Sequence, residues 1–391
     1  MIESTVNERA ASAGGADWAW VRAQFPITKT HAYLNHCAIG AGSLPVARAL
    51  AAFEEQRQLY GSLANDEVVR GVARTRAKAA DFIGARTEEI AFVKNTPEGL
   101  SLVAAGLEWR PGDNVVTAAL EFPANVHPWL NLRPRGVEVR IVEADAEGRL
   151  PADRILAQVD DRTRVVALSW VEFCNGFRND LATIGAECRR RNARLVVDAI
   201  QGAGALLLDV RALNVDYLAF ACHKWMLGPV GIGVLYVRDE LLDELSLVEV
   251  GQSNYQYGES WLDYERPLKP TAGRFECGMV STLCVHGLEA AIDLFNAAGR
   301  ARIEERILSL TDRLLAGVPA DRYEHWGSTR PGERSGIVSF RPRHQTAAEV
   351  VAALERANVV GSEREGAVRL AAHCYNDETD VDRAIEALRK V

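Results

Sequence analysis

Between residues 89 and 237 the chain is a succession of short apolar runs separated by polar turns. "EIAFVK", "NVVTAAL", "VEVRIVEA", "RVVALSW", "RLVVDA", "YLAFAC" and "GIGVLYV" are too short for stable helices and rich in β-branched residues, so they predict strands. Several are apolar throughout, the pattern of strands covered on both faces. "PADRILAQV" and "DLATIGAECRRR" carry helical spacing between them. Strand and helix in alternation predict an α/β fold with a mostly parallel central sheet covered by helices, and in such sheets ligands gather at the carboxyl ends of the strands.

Upstream, Val46 to Tyr60 and Glu67 to Ile83 have helical period, and Val68, Val69, Val72, Ala79, Ala80 and Ile83 are expected on one side of the second helix. After about residue 282 the pattern changes. "CVHGLEAAIDLFNAAG", "IEERILSLTDRLLAGV", "TAAEVVAALERAN" and "ETDVDRAIEALRKV" predict helices, while "GIVSF" and "AVRLAAHCYN" predict strands. The expected division is an N-terminal arm and segment joining the small domain (1–40), a large domain (41–281) and a smaller α+β C-terminal domain (282–391). The first dozen residues, polar and small, are expected to form a loose arm.

A length of 391 residues accommodates a large core and two domains. With 48% hydrophobic and 25% charged residues, composition is that of an ordinary globular protein. A formal charge of −8 argues against a nucleic-acid surface, which needs a basic face, but leaves a small anionic ligand open. The opening "MIESTVNERAASAGGADWAW" lacks the apolar segment of a secretory signal. No apolar run approaches the roughly 20 residues that span a bilayer. Seven scattered cysteines without a CxxC pair fit reduced thiols better than disulfides or a zinc site. A cytoplasmic protein with no membrane, nucleic-acid or metal partner is the expectation.

The strand ends hold the candidate chemistry. "EIAFVK" runs into "NTPEGLSLVAAGL", where Thr96 and the free N–H groups of a helix start could take an anion or could be an ordinary N-cap. Phe122, just past "NVVTAAL", could cap the core or cover a flat ring. Asp198 terminates the otherwise apolar "RLVVDA", unusual unless a cation meets it. His223 and Lys224 follow "YLAFAC", and an ammonium among Trp225, Met226 and Leu227 is costly unless paired or neutralised. An anion cradle, an aromatic, an acid and a lysine on one sheet edge suit pyridoxal phosphate, whose phosphate, ring, ring nitrogen and aldehyde call for those partners in turn.

The ordered series from "YLNHCAIGAG" through "VVDAIQGAG" and "FACHKWMLGPVGIGVLY" to "VRLAAHCYN" resembles the class V aminotransferase family of fold-type I pyridoxal-phosphate enzymes, nearest to its cysteine desulfurase, selenocysteine lyase and isopenicillin N epimerase branch. The resemblance implies that Lys224 carries the cofactor and shuttles the substrate's α-proton, that Asp198 pairs with the ring nitrogen, and that Gln201 bonds the phenolic oxygen. It places Phe122 on the ring, Thr96, Pro97 and His223 around the phosphate, and Arg369 on the substrate's carboxylate. "GRFECG" with Gly278 matches a segment that reaches the neighbouring subunit's phosphate, which implies a homodimer with shared sites. Asn35 and His36 lie in a segment that edges the substrate pocket, and are candidate contacts with a small amino acid.

Departures from the family pattern bear on the reaction. Ala221 stands where a phosphate-binding serine is frequent, Met279 where a threonine is common, and Phe173 where desulfurases have an asparagine. Desulfurases carry a persulfide cysteine on a longer loop before the arginine; here that loop reads "VVGSEREGAVRL", and no cysteine lies between Cys284 and Cys374. Cys374 is expected to be a core thiol. The expected activity is aminotransferase-like, with a β-eliminating C–S lyase as the alternative, an epimerase third, and an inactive binding relative as the reading from outside enzymology. "GQSNYQYGESWLDYERP" (251–267) could serve as a lid or a dimer contact.

Overall fold

The computed structural model describes residues 17–391; the expected arm at the start of the chain lies outside them. Among the described residues, thirteen strands form three sheets. In chain order they are β1 (Ala32–Tyr33), β2 (Ile90–Val93), β3 (Asn114–Ala118), β4 (Glu138–Val142), β5 (Thr163–Ser169), β6 (Arg194–Asp198), β7 (Tyr217–Ala221), β8 (Gly233–Val237), β9 (Tyr323–His325), β10 (Ile337–Pro342), β11 (Val359–Val360), β12 (Ser362–Arg364) and β13 (Ala367–Ala371).

All seven predicted strands of the first region join one sheet in the order β2-β8-β7-β6-β5-β3-β4. Only β8 runs against the others. The carboxyl ends of β2, β3, β5, β6 and β7 therefore share one edge. The interior strands are buried along their length because helices cover both faces. The edge strand β4 is the exception: it exposes Glu138 and Ile141, and its charged residues protect an open edge.

Helices Leu44–Tyr60 and Asn65–Phe82 pack against helix Thr282–Ala298. In Asn65–Phe82 the buried side runs through Gly71, Thr75, Ala79 and Ala80. Val69, expected on that side, is 58% exposed.

The second sheet, β12-β13-β10-β9, is antiparallel and packs on helices Arg300–Gly317, Ala347–Arg356 and Glu378–Lys390. The N-terminal segment is stitched to it. Arg22 pairs with Asp380 at 2.6 Å, Phe25 stacks on Tyr375 with centroids 3.9 Å apart, and β1 pairs in parallel with β11. The chain then crosses to the large sheet at Gly40, whose N–H donates to the His223 carbonyl at 2.7 Å. A Cβ at Gly40 would stand 2.2 Å from the Lys224 carbonyl oxygen, so only glycine permits this crossing.

Candidate active site

Beyond β7 the chain turns back on itself. The Gly228 N–H donates to the Cys222 carbonyl at 2.9 Å, and the Leu227 N–H to the Lys224 carbonyl at 3.1 Å. Leu227 adopts a left-handed φ of 52°, a strained conformation held by the packing of its own buried side chain and those of Trp225 and Met226. The apolar neighbours that made Lys224 puzzling in the sequence point into the core, and the turn leaves Lys224 half-buried, its Nζ 5.5 Å from the centroid of the Phe122 ring. Burial lowers the pKa of this amine; the nearby charge of Asp198 opposes the shift.

Asp198 ends β6, 2% exposed, with its Oδ1 accepting from the Ile200 N–H at 2.9 Å. Burial pushes its carboxyl up to about 6, against that hydrogen bond and the Lys224 charge. Asp198 and Lys224 sense each other's charge, yet no direct ion pair joins them among the described residues. This is the relation required of two groups that grip different parts of one flat molecule.

Phe122 is 44% exposed and meets Phe173 edge-on, centroids 5.2 Å apart. Phe173, which entered only as a departure from a family pattern, thus props the aromatic beside Lys224. Gln201 is fastened at both ends of its amide: Nε2 donates to the Cys37 carbonyl at 3.0 Å, and Oε1 accepts from Trp225 Nε1 at 2.9 Å. One N–H of that amide stays available to a ligand.

Thr96 opens helix Thr96–Gly106 behind the N-cap Asn95, with Pro97 at the next position. Its hydroxyl accepts from the Ala221 N–H at 2.9 Å, tying the helix start to the end of β7 at the residue that lacks a hydroxyl of its own. His223 borders the same edge, its imidazole pKa lowered by burial and then by Lys224. A cavity of about 370 Å³ adjoins His223 on the side of Ile39, Gly40 and Pro229.

Arg369 is 1% exposed in mid-strand on β13. Its Nε donates to Ser362 Oγ at 3.3 Å and its Nη1 to the Phe173 carbonyl. Nη2 makes no hydrogen bond among the described residues, and Arg369 acts electrostatically on Lys224. A surface salt bridge, the plain alternative, is excluded by this burial.

Two expected positions lie apart from this group. Gly278 faces open space beside Met279, which is 85% exposed, and the segment before it is anchored by Glu276, which takes a bidentate pair from Arg76 (2.6 and 3.0 Å) and the Phe92 N–H at 2.7 Å. His36 requires a correction as a substrate contact. It has no exposed surface, its Nδ1 meets the Ala371 carbonyl at 2.8 Å, and its Nε2 meets the Tyr375 hydroxyl at 2.7 Å. With both nitrogens engaged it joins the N-terminal segment to the small sheet. Asn35 next to it is partly exposed and bridges Ala371.

Sequence reasoning missed Glu121, Ser169, Glu172 and Asn179, four buried polar residues behind Asp198. The available signal was an acid in each of the turns "LEFPAN" and "SWVEFCNG", immediately past predicted strands.

The family model for class-V aminotransferases matches residues 57–384. The chain belongs to the class-V aminotransferase family. Within it, a probable cysteine desulfurase of Methanothermobacter thermautotrophicus is 33% identical over 396 aligned residues, covering 95% of this chain and 97% of that protein. The apo cysteine desulfurase of Thermococcus onnurineus superposes with a TM-score of 0.88 at 28% identity, covering 97% and 98% of the two chains. The cystine C–S lyase C-DES, solved with its product cysteine persulfide, gives 0.87 at 27% identity, covering 93% and 99%. A lysine-to-alanine variant of C-DES holds glycine covalently linked to its PLP cofactor. The residues here fit the same group: a buried amine of lowered pKa, a buried carboxylate that does not pair with it, an aromatic face beside the amine, and a helix start tied to the same strand end.

Proposed function

We propose that this class-V family member is a pyridoxal-phosphate enzyme that breaks the C–S bond of cysteine, cystine or a related small sulfur amino acid by β-elimination, releasing sulfur to solution. The supporting observation is the turn between β12 and β13. It comprises Glu365 and Gly366, both with positive φ (50° and 73°), and holds no cysteine. A tight turn at this point leaves no loop to carry a sulfur-accepting thiol. Cys374 is 3% exposed, with its thiol pushed up to about 12 by burial, which disqualifies it as an acceptor. Similarity along the whole chain to desulfurases and to a C–S lyase favours this reaction over the aminotransferase expected first.

Bound at this edge, the cofactor supplies an aldehyde for amines and an electron-withdrawing ring. Lys224, whose amine burial makes easier to deprotonate, is the group placed to take the proton from the substrate's Cα. Asp198 would set its negative charge against the ring nitrogen, and Phe122, propped by Phe173, would cover the ring face. Gln201 offers its remaining N–H, and Thr96, Pro97 at the helix start and His223 surround the phosphate. Arg369 offers Nη2 to the substrate carboxylate, its other nitrogens already fixed. Asn35 borders the substrate. No acceptor keto acid and no protein thiol enters this scheme.

The working unit in this reading is a homodimer, with Gly278 at the partner's phosphate. Exposed Tyr257, Trp261, Leu262 and Tyr264, at 65–78% exposure, support a contact by the 251–267 segment. Seven unpaired cysteines accord with a cytoplasmic setting. No helix among the described residues is long and apolar enough to cross a membrane.

The deciding experiment incubates the holoenzyme with L-cysteine or L-cystine, with and without a keto acid. Pyruvate with sulfide or persulfide, formed without an acceptor, is expected. Alanine with sulfur retained on the protein would make it a desulfurase, acceptor-dependent turnover an aminotransferase, and loss of α-deuterium without either product an epimerase.

A further inference from the structure

Behind Asp198 lies a layer of polar side chains that the scheme above leaves idle. Glu121 follows β3, Ser169 ends β5 opposite Asp198, and Glu172 opens the turn beyond. They are 6%, 5% and 0% exposed. Glu121 is well supplied with donors: the Ser169 N–H, the Ser169 hydroxyl at 2.6 Å and Asn125 Nδ2 at 2.9 Å. Glu172 receives one, from Asn179 Nδ2 at 2.7 Å, and Asn179 gives its other N–H to the Ser169 carbonyl at 2.9 Å. Glu172 Oε2 and Asn179 Oδ1 are buried without any partner among the described residues.

This is a shortage of hydrogens. A carboxylate at 172 would leave one of its oxygens bare in the core, which costs far more than leaving a neutral acid there. The charged and titratable groups that face Glu172 make matters worse: Glu121, Asp198 and the Cys174 thiol, none of them a cation. Lys224 acts on Asp198 and Arg369 on Cys174, so neither relieves Glu172. Burial, then Glu121, then Asp198, hold the Glu172 carboxyl well above the usual range, whereas the burial that raises Glu121 is opposed by the hydrogen bonds it accepts from Ser169 and Asn125.

Glu172 also shapes the turn that anchors Arg369. Its N–H donates to the Phe177 carbonyl at 2.8 Å, and its carbonyl accepts from the Gly176 N–H at 2.9 Å. Between them Phe173 offers its carbonyl to Arg369 and its ring to Phe122.

We propose that Glu172 is a resident neutral acid and a positioning residue: by keeping its proton it leaves Asp198 free to carry the charge that faces the ring nitrogen, while its backbone closes the turn on which Arg369 is anchored. The role of Asp198 in this statement rests on the function proposed above; the protonation of Glu172 does not.

The test is infrared spectroscopy of the protein in D2O, with cofactor and after its removal. At neutral pH the protein should show the C=O stretch of a buried protonated carboxyl, lost in Glu172→Gln and retained in Glu121→Gln. Glu172→Gln preserves shape and neutrality, so it should fold, melt close to the parent and keep the visible absorbance of the bound cofactor. A parent spectrum without that band, or a band that survives Glu172→Gln, overturns the proposal. If Glu172→Gln does not fold, the neutral-pH band of Glu121→Gln decides instead: its absence in that variant would overturn the proposal, and its presence would uphold it. A purely structural glutamate would yield no such band. Because the band is read on cofactor-free protein as well, it stands or falls apart from the reaction assigned to the enzyme.

Discussion

The seven-stranded sheet presents Thr96, Phe122, Asp198 and Lys224 from turns at the ends of parallel strands, whereas the four-stranded sheet presents Arg369 from the middle of β13. The first arrangement follows from topology, because parallel strands deliver every carboxyl end to one edge, where turns are free to carry polar groups. The second puts a guanidinium inside a sheet. That is tolerable only because Ser362, paired opposite on β12, and the Phe173 carbonyl from the other sheet satisfy it. The turn-borne groups are thus expected to be replaceable without unfolding the protein, whereas the strand-borne arginine also ties the small sheet to the Phe173 turn.

The strongest challenge to this contrast is Lys224→Ala. Turnover should fall by about 10⁴-fold or more, with loss of the visible absorbance of the bound cofactor but an unchanged melting temperature. Undiminished turnover in this variant would end the assignment of Lys224 as the residue that carries the cofactor. Asp198→Asn should cost about 10²- to 10³-fold in kcat and shift the pH dependence of the cofactor absorbance, which spectrophotometric titration would follow.

At the junction of the sheets, His373 Nε2 donates to the Trp225 carbonyl (2.9 Å) and its Nδ1 accepts from the Cys374 N–H (2.8 Å), with burial holding its imidazole down to about 4. The unfolded chain binds that proton first, near 6.5. The stability His373 contributes is therefore complete above about 6.5 and is lost as pH falls through about 4, a loss of about 3 kcal/mol that denaturant melts across this window would show. His373→Asn should flatten the slope.

Arg369→Lys should lower kcat/KM roughly 10- to 100-fold, mainly through KM, since a single ammonium cannot hold Ser362, Phe173 and a carboxylate together. Steady-state kinetics separates this from Lys224→Ala, where kcat falls. The mildest effect is expected for Ser362→Ala: about 0.5–1.5 kcal/mol of stability and a few-fold in KM, because the lost bond to Arg369 is long. A large effect from this variant would mean that the small sheet positions Arg369 more than the Phe173 carbonyl does.

The seven large-sheet strands were legible because their apolar runs are local and uninterrupted, and Asp198 and Lys224 stood out because a charge closing an apolar run is costly anywhere in a chain. Val69 and His36 were misplaced for opposite reasons. Val69 looked like part of an apolar stripe but stays exposed in the first turns of its helix, ahead of the buried residues that begin at Gly71. His36 looked like a site residue because its segment resembles one that edges the substrate pocket, and only the approach of Ala371 and Tyr375, over 330 residues later in the chain, reveals that both its nitrogens are taken. Phe173 appeared as a missing asparagine, and its carbonyl bond to Arg369 left no trace in residue type.

From the order of residues came the strand pattern, the parallel sheet and the row of chemical groups along its edge, since each depends on period and on the cost of polar groups near apolar ones within a few positions. Tertiary structure decided the burial of His36, the mid-strand setting of Arg369 and the shared pocket of Glu121, Glu172 and Asp198. Those depend on which distant groups arrive to donate a hydrogen bond or exclude water, and a carboxylate's charge is settled by that company rather than by its neighbours in the chain.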